Sequence, residues 1–393
     1  MNKIKIVFLE HCIDNTVGGS HYCLLEICRA LDKERYDATL VFYQENDLIS
    51  EFRETGFKVR IEKPFESARF GHNLPAVVGK LIRLPVNYYR MIVARANAWR
   101  KLLKQEKADI LHLNNSFSID HDALIAAKSL GIPVVSHIRG IEVKISKFTV
   151  FLSRFIEKII VISNAVKQNL LDNKISDHNM RLIYDGIREE RITEGVKERY
   201  LFSKYNLKSD YIVFGVVGNI KAWKGQRVLV EAASLLKKRY DKFYCFLVGD
   251  ISEKAYHDEV VSLIEANGLQ EHVIITGYQK NVADFVNSFD IFVHTSVEPE
   301  PFGIVILEAL ALKKPVIVSN IGAPQEIIEN GESGLLFDVR RAEDLMEKID
   351  FLIQNADKRE HLGDQGYRRF KENFTIQNNV DAICDVYQEV LKS

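Results

Sequence analysis

Two carboxylates and a lysine-bearing glycine loop are the residues of this chain best suited to chemistry. Glu300 and Glu308 lie in Glu298-Pro299-Glu300-Pro301-Phe302-Gly303-Ile304-Val305-Ile306-Leu307-Glu308. The prolines hold the chain extended and Gly303 opens a helix, so Glu300 falls in a strand-to-helix loop and Glu308 one to two turns into the helix. An ionised carboxylate only accepts hydrogen bonds and suits hydroxyl donors, which sugars present. Taken singly, a solvated loop glutamate and a glutamate complementing a helix dipole are the better readings of the two positions.

The loop is Gly218-Asn219-Ile220-Lys221-Ala222-Trp223-Lys224-Gly225, between a strand and a helix. A glycine turn into a helix start offers free N–H groups and the positive end of the dipole to an anion. Lys221 and Lys224 stand where that dipole disfavours cations, a conflict that a bound diphosphate would remove; two solvated lysines are the plainer alternative. The order of residues is not that of a GxxxxGK[ST] phosphate loop.

Other candidates lie in the first half. Gly18 and Gly19 follow the first strand and open a helix, either to let a ligand approach the backbone or as a plain tight turn. His137 closes a strand and is expected to point into a ligand cleft, although a hydrogen-bonded structural histidine has the same signature. Asp120-His121-Asp122 has the form of a metal-binding pair of acids, but it opens a helix, where acids cap, and no metal is expected. From Ser67 to Gln105 there is no acid, while Arg69, Lys80, Arg83, Arg90, Arg95, Arg100, Lys101 and Lys104 alternate with apolar and aromatic residues. That stretch, 67–105, reads as a basic amphipathic helix for an anionic membrane surface, or else as the solvated face of a core helix.

These residues need elements to position them, and short apolar runs alternating with amphipathic segments give the pattern of parallel βαβ units. The first half predicts strands at Lys5–Leu9, Ala38–Tyr43, Ile110–Leu113, Pro133–His137, Lys158–Ile162 and Arg181–Tyr184. A second series follows at Tyr211–Val217, Phe243–Val248, Val273–Ile275, Ile291–His294 and Pro315–Ser319, with helices at Lys224–Arg239 and Gly303–Leu312. The polar stretch Arg188–Lys204 reads as a linker with a first helix. Domains of 1–190 and 191–374 follow, with a helical tail, 375–393, that would pack back on the first. Ligands of open α/β sheets bind beyond the carboxyl ends of the strands, where these candidates stand.

Composition limits the partners. Lys and Arg number 53 against 54 Asp and Glu, so no global field attracts nucleic acid. The five cysteines, Cys12, Cys23, Cys28, Cys245 and Cys384, have no disulfide or zinc spacing. No run reaches the roughly 20 apolar residues of a membrane span, and the amino-terminal run is too short for a signal peptide. A cytoplasmic protein, peripheral at most on the inner face of a membrane, is the expectation.

Together the motifs resemble family-4 glycosyltransferases of the GT-B fold, over almost the whole chain and most strongly in the second half. Glu300 and Glu308 match the family's E-x7-E element, and the gap selects Glu300 over Glu298. The resemblance implies an α/β fold of two Rossmann-like domains with parallel sheets facing across a cleft, an amino-terminal acceptor domain and a carboxyl-terminal donor domain. It implies retaining transfer from a UDP- or GDP-sugar to a glycan or lipid-linked acceptor, without a metal cofactor. Glu300, His137 and Lys224 become the catalytic candidates. Donor contacts fall to Gly18, Gly19, Asn219, Lys221, Lys224, Phe302, Gly303, Ile304 and Glu308. Lys224-Gly225 match the phosphate loop, but Asn219 stands where the family has arginine and His21 departs from the glycine-loop pattern. Tyr184-Asp185-Gly186-Ile187 and Gly322-Ala323-Pro324-Gln325-Glu326 resemble the family's domain-junction and Gly-Gly-x-x-Glu segments. A nucleotide-sugar epimerase and an inactive sugar-nucleotide-binding protein are the alternatives; the epimerase would need no acceptor.

Overall fold

The structure, a computed structural model, describes residues 3–11, 17–62 and 76–392; for 76–88, 90 and 91 it describes the backbone. Cys12, Arg69 and the side chains of Lys80, Arg83 and Arg90 thus lie outside the described residues.

The first sheet holds β1 (Ile4–Glu10), β2 (Tyr36–Phe42), β3 (Lys58–Ile61), β4 (Ile110–Leu113), β5 (Val134–Ile138), β6 (Lys158–Val161) and β7 (Met180–Leu182), in the order β3-β2-β1-β4-β5-β6-β7. The second holds β8 (Ile212–Val217), β9 (Phe243–Val248), β10 (Val273–Gly277), β11 (Ile291–His294), β12 (Val316–Ser319) and β13 (Leu335–Phe337), ordered β10-β9-β8-β11-β12-β13. Every pairing is parallel. Parallel strands need helical crossovers, which cover both sheet faces and explain the near-continuous apolar runs. In β1, Ile6, Val7, Phe8 and Leu9 are all buried; in β11, Ile291, Phe292 and Val293 are.

Two strands escape the sequence pattern. Strand β3 reads Lys-Val-Arg-Ile on a sheet edge, with its lysine exposed, and β13 is three residues long. The helix expected at Lys224–Arg239 runs over Gln226–Lys237, because Gly225 takes φ +68° just before it. That is the left-handed region, which glycine enters without cost.

The chain forms two compact units, Met1–Tyr184 with Asn379–Ser393 and Asp185–Asn378. Tail helix Ile376–Lys392 gives the first unit Tyr387, which is fully buried with its hydroxyl 2.7 Å from His112 Nδ1. Asn379 donates to the Tyr184 carbonyl at 2.7 Å.

In both sheets the order of strands reverses between the first strand and the fourth: β1 beside β4, β8 beside β11. At such a switch point the two crossovers leave in opposite directions and open a crevice beyond the carboxyl ends. Buried polar side chains stand there in each unit, Glu10 and Asn114 in the first and His294, Thr295 and Ser296 in the second.

Candidate active site

In the second unit, the loops after β8 and β11 meet. The Glu300 carboxylate receives Lys224 Nζ at 2.7 Å on Oε1, and lies 2.7 Å from both His294 Nε2 and Ser296 Oγ on Oε2. His294 ends β11, and its Nδ1 lies 3.2 Å from Ser319 Oγ at the end of β12. The Lys224 ammonium also lies 4.3 Å from the centre of the Trp223 ring, a cation–π contact. Burial raises the Glu300 carboxyl pKa, but the charge and hydrogen bond of His294, with Lys224, outweigh it and hold the group well below the usual carboxylate range. The conflict expected at Lys224 is therefore already met inside the protein, by Glu300.

Backbone contacts fix this geometry. Thr295 Oγ1 donates to the Lys224 carbonyl at 2.8 Å and Val297 N to the Trp223 carbonyl at 2.9 Å, tying the two loops together. A side chain at Gly225 would collide with the Thr295 carbonyl. Behind Glu300 the Gly322 turn (φ +68°) lies against the Glu300 main chain, and Ala323 N donates to the Glu300 carbonyl at 3.0 Å. Glu300 is thus aimed by main-chain contacts on both sides.

The other donor-side candidates sit around this cluster. Gly303 is the residue before helix Ile304–Ala311, Phe302 is buried against Phe374, and Ile304 is half-buried. Lys221 lies 5.2 Å from the Trp223 ring, Asn219 is exposed, and the Gln226 side chain donates to the Asn219 carbonyl at 2.9 Å. Glu308 pairs with Arg191 Nη2 at 3.0 Å; burial raises its pKa and the Arg191 charge opposes that rise. Glu298 is exposed. Reading the sequence missed His294, Ser296 and Arg191. His294 carried the same strand-end signal as His137, whereas Arg191 lies in the stretch read as a linker with a first helix, on the helix Glu189–Thr193.

In the first unit, Glu10 ends β1 fully buried and accepts from Ser20 Oγ at 2.9 Å and from Asn114 Nδ2. Gly18 and Gly19 open the helix Gly19–Ala30 with clear space on their Cβ sides. His21 Nδ1 accepts the Gly18 N–H at 3.3 Å, so this departure from the family pattern serves the helix start. His137 does not open into a cleft. It is fully buried, with Nδ1 3.2 Å from Arg139 Nη2 and its ring 5.7 Å from that of His112. Burial and then the Arg139 charge hold both rings neutral: His112 is lowered to about 3 and His137 well below its ordinary value. Arg139, itself buried, donates from Nε to the Asn114 carbonyl at 3.2 Å. Asp120, expected as a cap, makes no side-chain cap to the helix it precedes, His121–Ser129; it lies 2.7 Å from His11 Nδ1 instead. Among the described residues no group of acids, histidines and cysteines has metal-holding geometry.

The basic stretch forms the helix Ala76–Glu106. Of its described side chains, Ala96, Trp99, Leu102 and Leu103 are buried, Tyr89 and Val93 are exposed, and Lys101 and Lys104 face outward. An apolar groove of about 410 Å³ runs between Ile92, Val93, Ile125 and Phe148, with Arg100 at its edge. No helix among the described residues is long and apolar enough to cross a membrane.

Comparison with known proteins gives matches over most of the chain. The family model described as Glycosyltransferase Family 4 matches residues 17–191, and that described as Glycosyl transferases group 1 matches 198–369. An uncharacterized glycosyltransferase of Methanocaldococcus jannaschii is 26% identical over 371 residues, covering 90% of this chain and 95% of its own. A capsular polysaccharide biosynthesis glycosyltransferase of Staphylococcus aureus is 25% identical, covering 65% and 70%. Among solved structures, a glycosyltransferase from Rickettsia africae superposes with a TM-score of 0.86 at 25% identity over the whole of both chains. An Anabaena protein solved with UDP and glucose reaches 0.78 at 21% identity, over 98% of this chain and 99% of its own.

Proposed function

The chain belongs to the family-4 glycosyltransferases of the GT-B fold, and from that premise we propose that it moves a glycosyl unit, with retention of configuration, from a UDP- or GDP-sugar to an acceptor hydroxyl. The observation that carries this reading is the Lys224–Glu300–His294 cluster, fixed at the carboxyl end of β11 beside a helix start. Lys224, Lys221 and the positive end of the helix Gln226–Lys237 take up charge on the departing diphosphate, without a metal. Glu300 orients the donor sugar through its hydroxyls, with Phe302, Gly303 and Ile304 alongside, and Glu308 holds the nucleotide. In the first unit Gly18 and Gly19 leave room for the donor, and buried His137 acts as a positioning residue that holds the Arg139 guanidinium. UDP is the first donor nucleotide to try, since the Anabaena neighbour was solved with it.

The acceptor is a surface glycan or its lipid-linked precursor, in keeping with the capsular relative and with the apolar groove beside Arg100. A cytoplasmic enzyme, peripheral at an anionic membrane through residues 67–105, fits this acceptor. Salt-sensitive flotation with anionic liposomes is the expected result for that contact, and its absence removes the membrane element.

The test is turnover of UDP- and GDP-sugars in EDTA, with the anomer read by NMR. A donor at about 100 times its dissociation constant should stabilise the protein by about 2.7 kcal/mol. Conversion of the sugar nucleotide without an acceptor would point to an epimerase, and binding without turnover to an inactive binding protein. Wild-type rates in both Glu300→Ala and Lys224→Ala would refute the site.

A further inference from the structure

The end of strand β11 breaks its own pattern. Ile291, Phe292 and Val293 are buried apolar residues, and the fourth, His294, is buried as deeply, with its side chain 2% exposed. Both ring nitrogens are engaged: Nδ1 lies 3.2 Å from Ser319 Oγ, and Nε2 lies 2.7 Å from Glu300 Oε2. An ionised carboxylate only accepts, so Nε2 carries its proton toward Glu300. A neutral ring then accepts at Nδ1 from the hydroxyl of Ser319, which is buried at the end of β12.

Stability does not require this arrangement. A buried carboxylate and its partners lose hydration that their attraction only partly returns, and apolar residues of similar size often serve a core as well. What the arrangement does is divide the two oxygens of Glu300, each of which has two lone pairs. Oε2 receives His294 Nε2 and Ser296 Oγ, each at 2.7 Å, and is filled. Oε1 receives Lys224 Nζ at 2.7 Å and, among the described residues, nothing else. The Glu300 side chain keeps 13% of its surface open, so a ligand can reach it but not His294 behind it.

We propose that His294 is a positioning residue: with Ser296 it occupies Oε2 of Glu300, and so presents Oε1, beside the Lys224 ammonium, to a hydroxyl of the donor sugar. The inference rests on the glycosyltransferase reading and lies wholly within the second unit. His294 acts through Glu300 and not on the donor. Lys224 and His294 are the titratable groups that bear on Glu300; Ser296 and the main chain of Gly322 and Ala323 also face it. Burial raises the Glu300 pKa, and His294 makes the largest opposing contribution, followed by Lys224. Glu300 therefore stays ionised below its ordinary 4.5, and without His294 it should take a proton at higher pH.

Wild type, His294→Leu, His294→Gln and Ser296→Ala are compared on whichever of UDP-glucose, UDP-galactose, UDP-N-acetylglucosamine and GDP-mannose the wild type turns over fastest. Nucleotide release is followed across the acid and neutral range, and binding of the free nucleoside diphosphate is measured by titration calorimetry. His294→Leu should lose about 10–100-fold in kcat/KM for the donor, the range for a lost hydrogen bond to a charged group, with the Kd of the nucleoside diphosphate unchanged. Its acid limb should lie about one pH unit or more above that of wild type. His294→Gln keeps a donor in the place of Nε2 and should recover most of kcat/KM. Ser296→Ala should move the limb in the same direction by less. A purely structural role would weaken diphosphate binding and donor turnover together and leave the limb in place. That result overturns the proposal, as does wild-type kcat/KM in His294→Leu; if His294→Leu does not fold, an unmoved limb in Ser296→Ala overturns it. In each of these cases the glycosyltransferase reading stands. If the wild type releases nucleotide from no UDP- or GDP-sugar, that reading fails, and this inference with it.

Discussion

The two units place their polar residues at the same point of the same topology and handle charge in opposite ways. At the β8/β11 switch point opposite charges are matched: Glu300 sits between Lys224 and His294, and its pKa is low. Near the β1/β4 switch point the histidines His112 and His137 are held neutral by burial, and His11 lies against the buried Asp120. The shared sheet order provides the place, and the side chains after each strand decide how charge is held there.

Lys224→Ala tests the charge-matched half most severely. Donor turnover should fall about 10²–10³-fold, as on removing one charge-stabilising group. Glu300 would also lose a buried partner, at a cost of about 3 kcal/mol in urea unfolding, the low end for such pairs, because His294 and Ser296 remain. Adding Glu300→Ala should recover part of that stability but none of the turnover. If the single and double variants are equally unstable, the pair is not coupled.

Acid should separate the units next. A histidine whose folded pKa is depressed costs stability as pH falls below its unfolded value, so His112 and His137 should weaken the first unit from about pH 6.5 downward. The loss is at most about 1.4 kcal/mol per pH unit for each proton, and the pKa of His11, lowered by burial but raised more by Asp120, offsets part of it. Glu300 has a depressed carboxylate pKa, so its contribution is present above about 4.5 and lost only below it. Hydrogen exchange at pH 5.5 should therefore speed up in residues 3–184 before 185–378, and His112→Phe should narrow the gap. Equal acceleration in both would break the contrast.

Gly225→Ala probes the scaffold rather than the charges. A left-handed φ and a clash with the Thr295 carbonyl should cost about 2 kcal/mol and weaken UDP binding by displacing Lys224. An unchanged urea midpoint would mean that the loop adapts.

The comparison also explains what could be read beforehand. Glu300, Gly303 and Glu308 lie within one short stretch, so they showed in local spacing. Lys224 stood out because its loop breaks the helix-dipole preference. The His11–Asp120 pair did not show, because the two residues are 109 apart and meet only once β1 and β4 pair. His137 shows a related difficulty: a strand-end histidine looks alike in sequence whatever it faces, and here its ring is buried beside that of His112. The fold was legible wherever strands are buried on both faces. It failed at β3, where Lys58 and Arg60 bond Glu106 instead of filling a core, and at the short β13.

The carboxyl-terminal helix sets an order of assembly. Tyr387 fills the core of the first unit and reaches His112, and Glu389 pairs with Lys158. During synthesis residues 3–184 therefore emerge before 185–378 but lack part of their own interior until the helix Ile376–Lys392 has left the ribosome. The second unit, continuous from Asp185 to Asn378, has all its residues earlier. Of the two units the earlier is completed after the later, and a chain cut before that helix carries a completed second unit beside an unfinished first one.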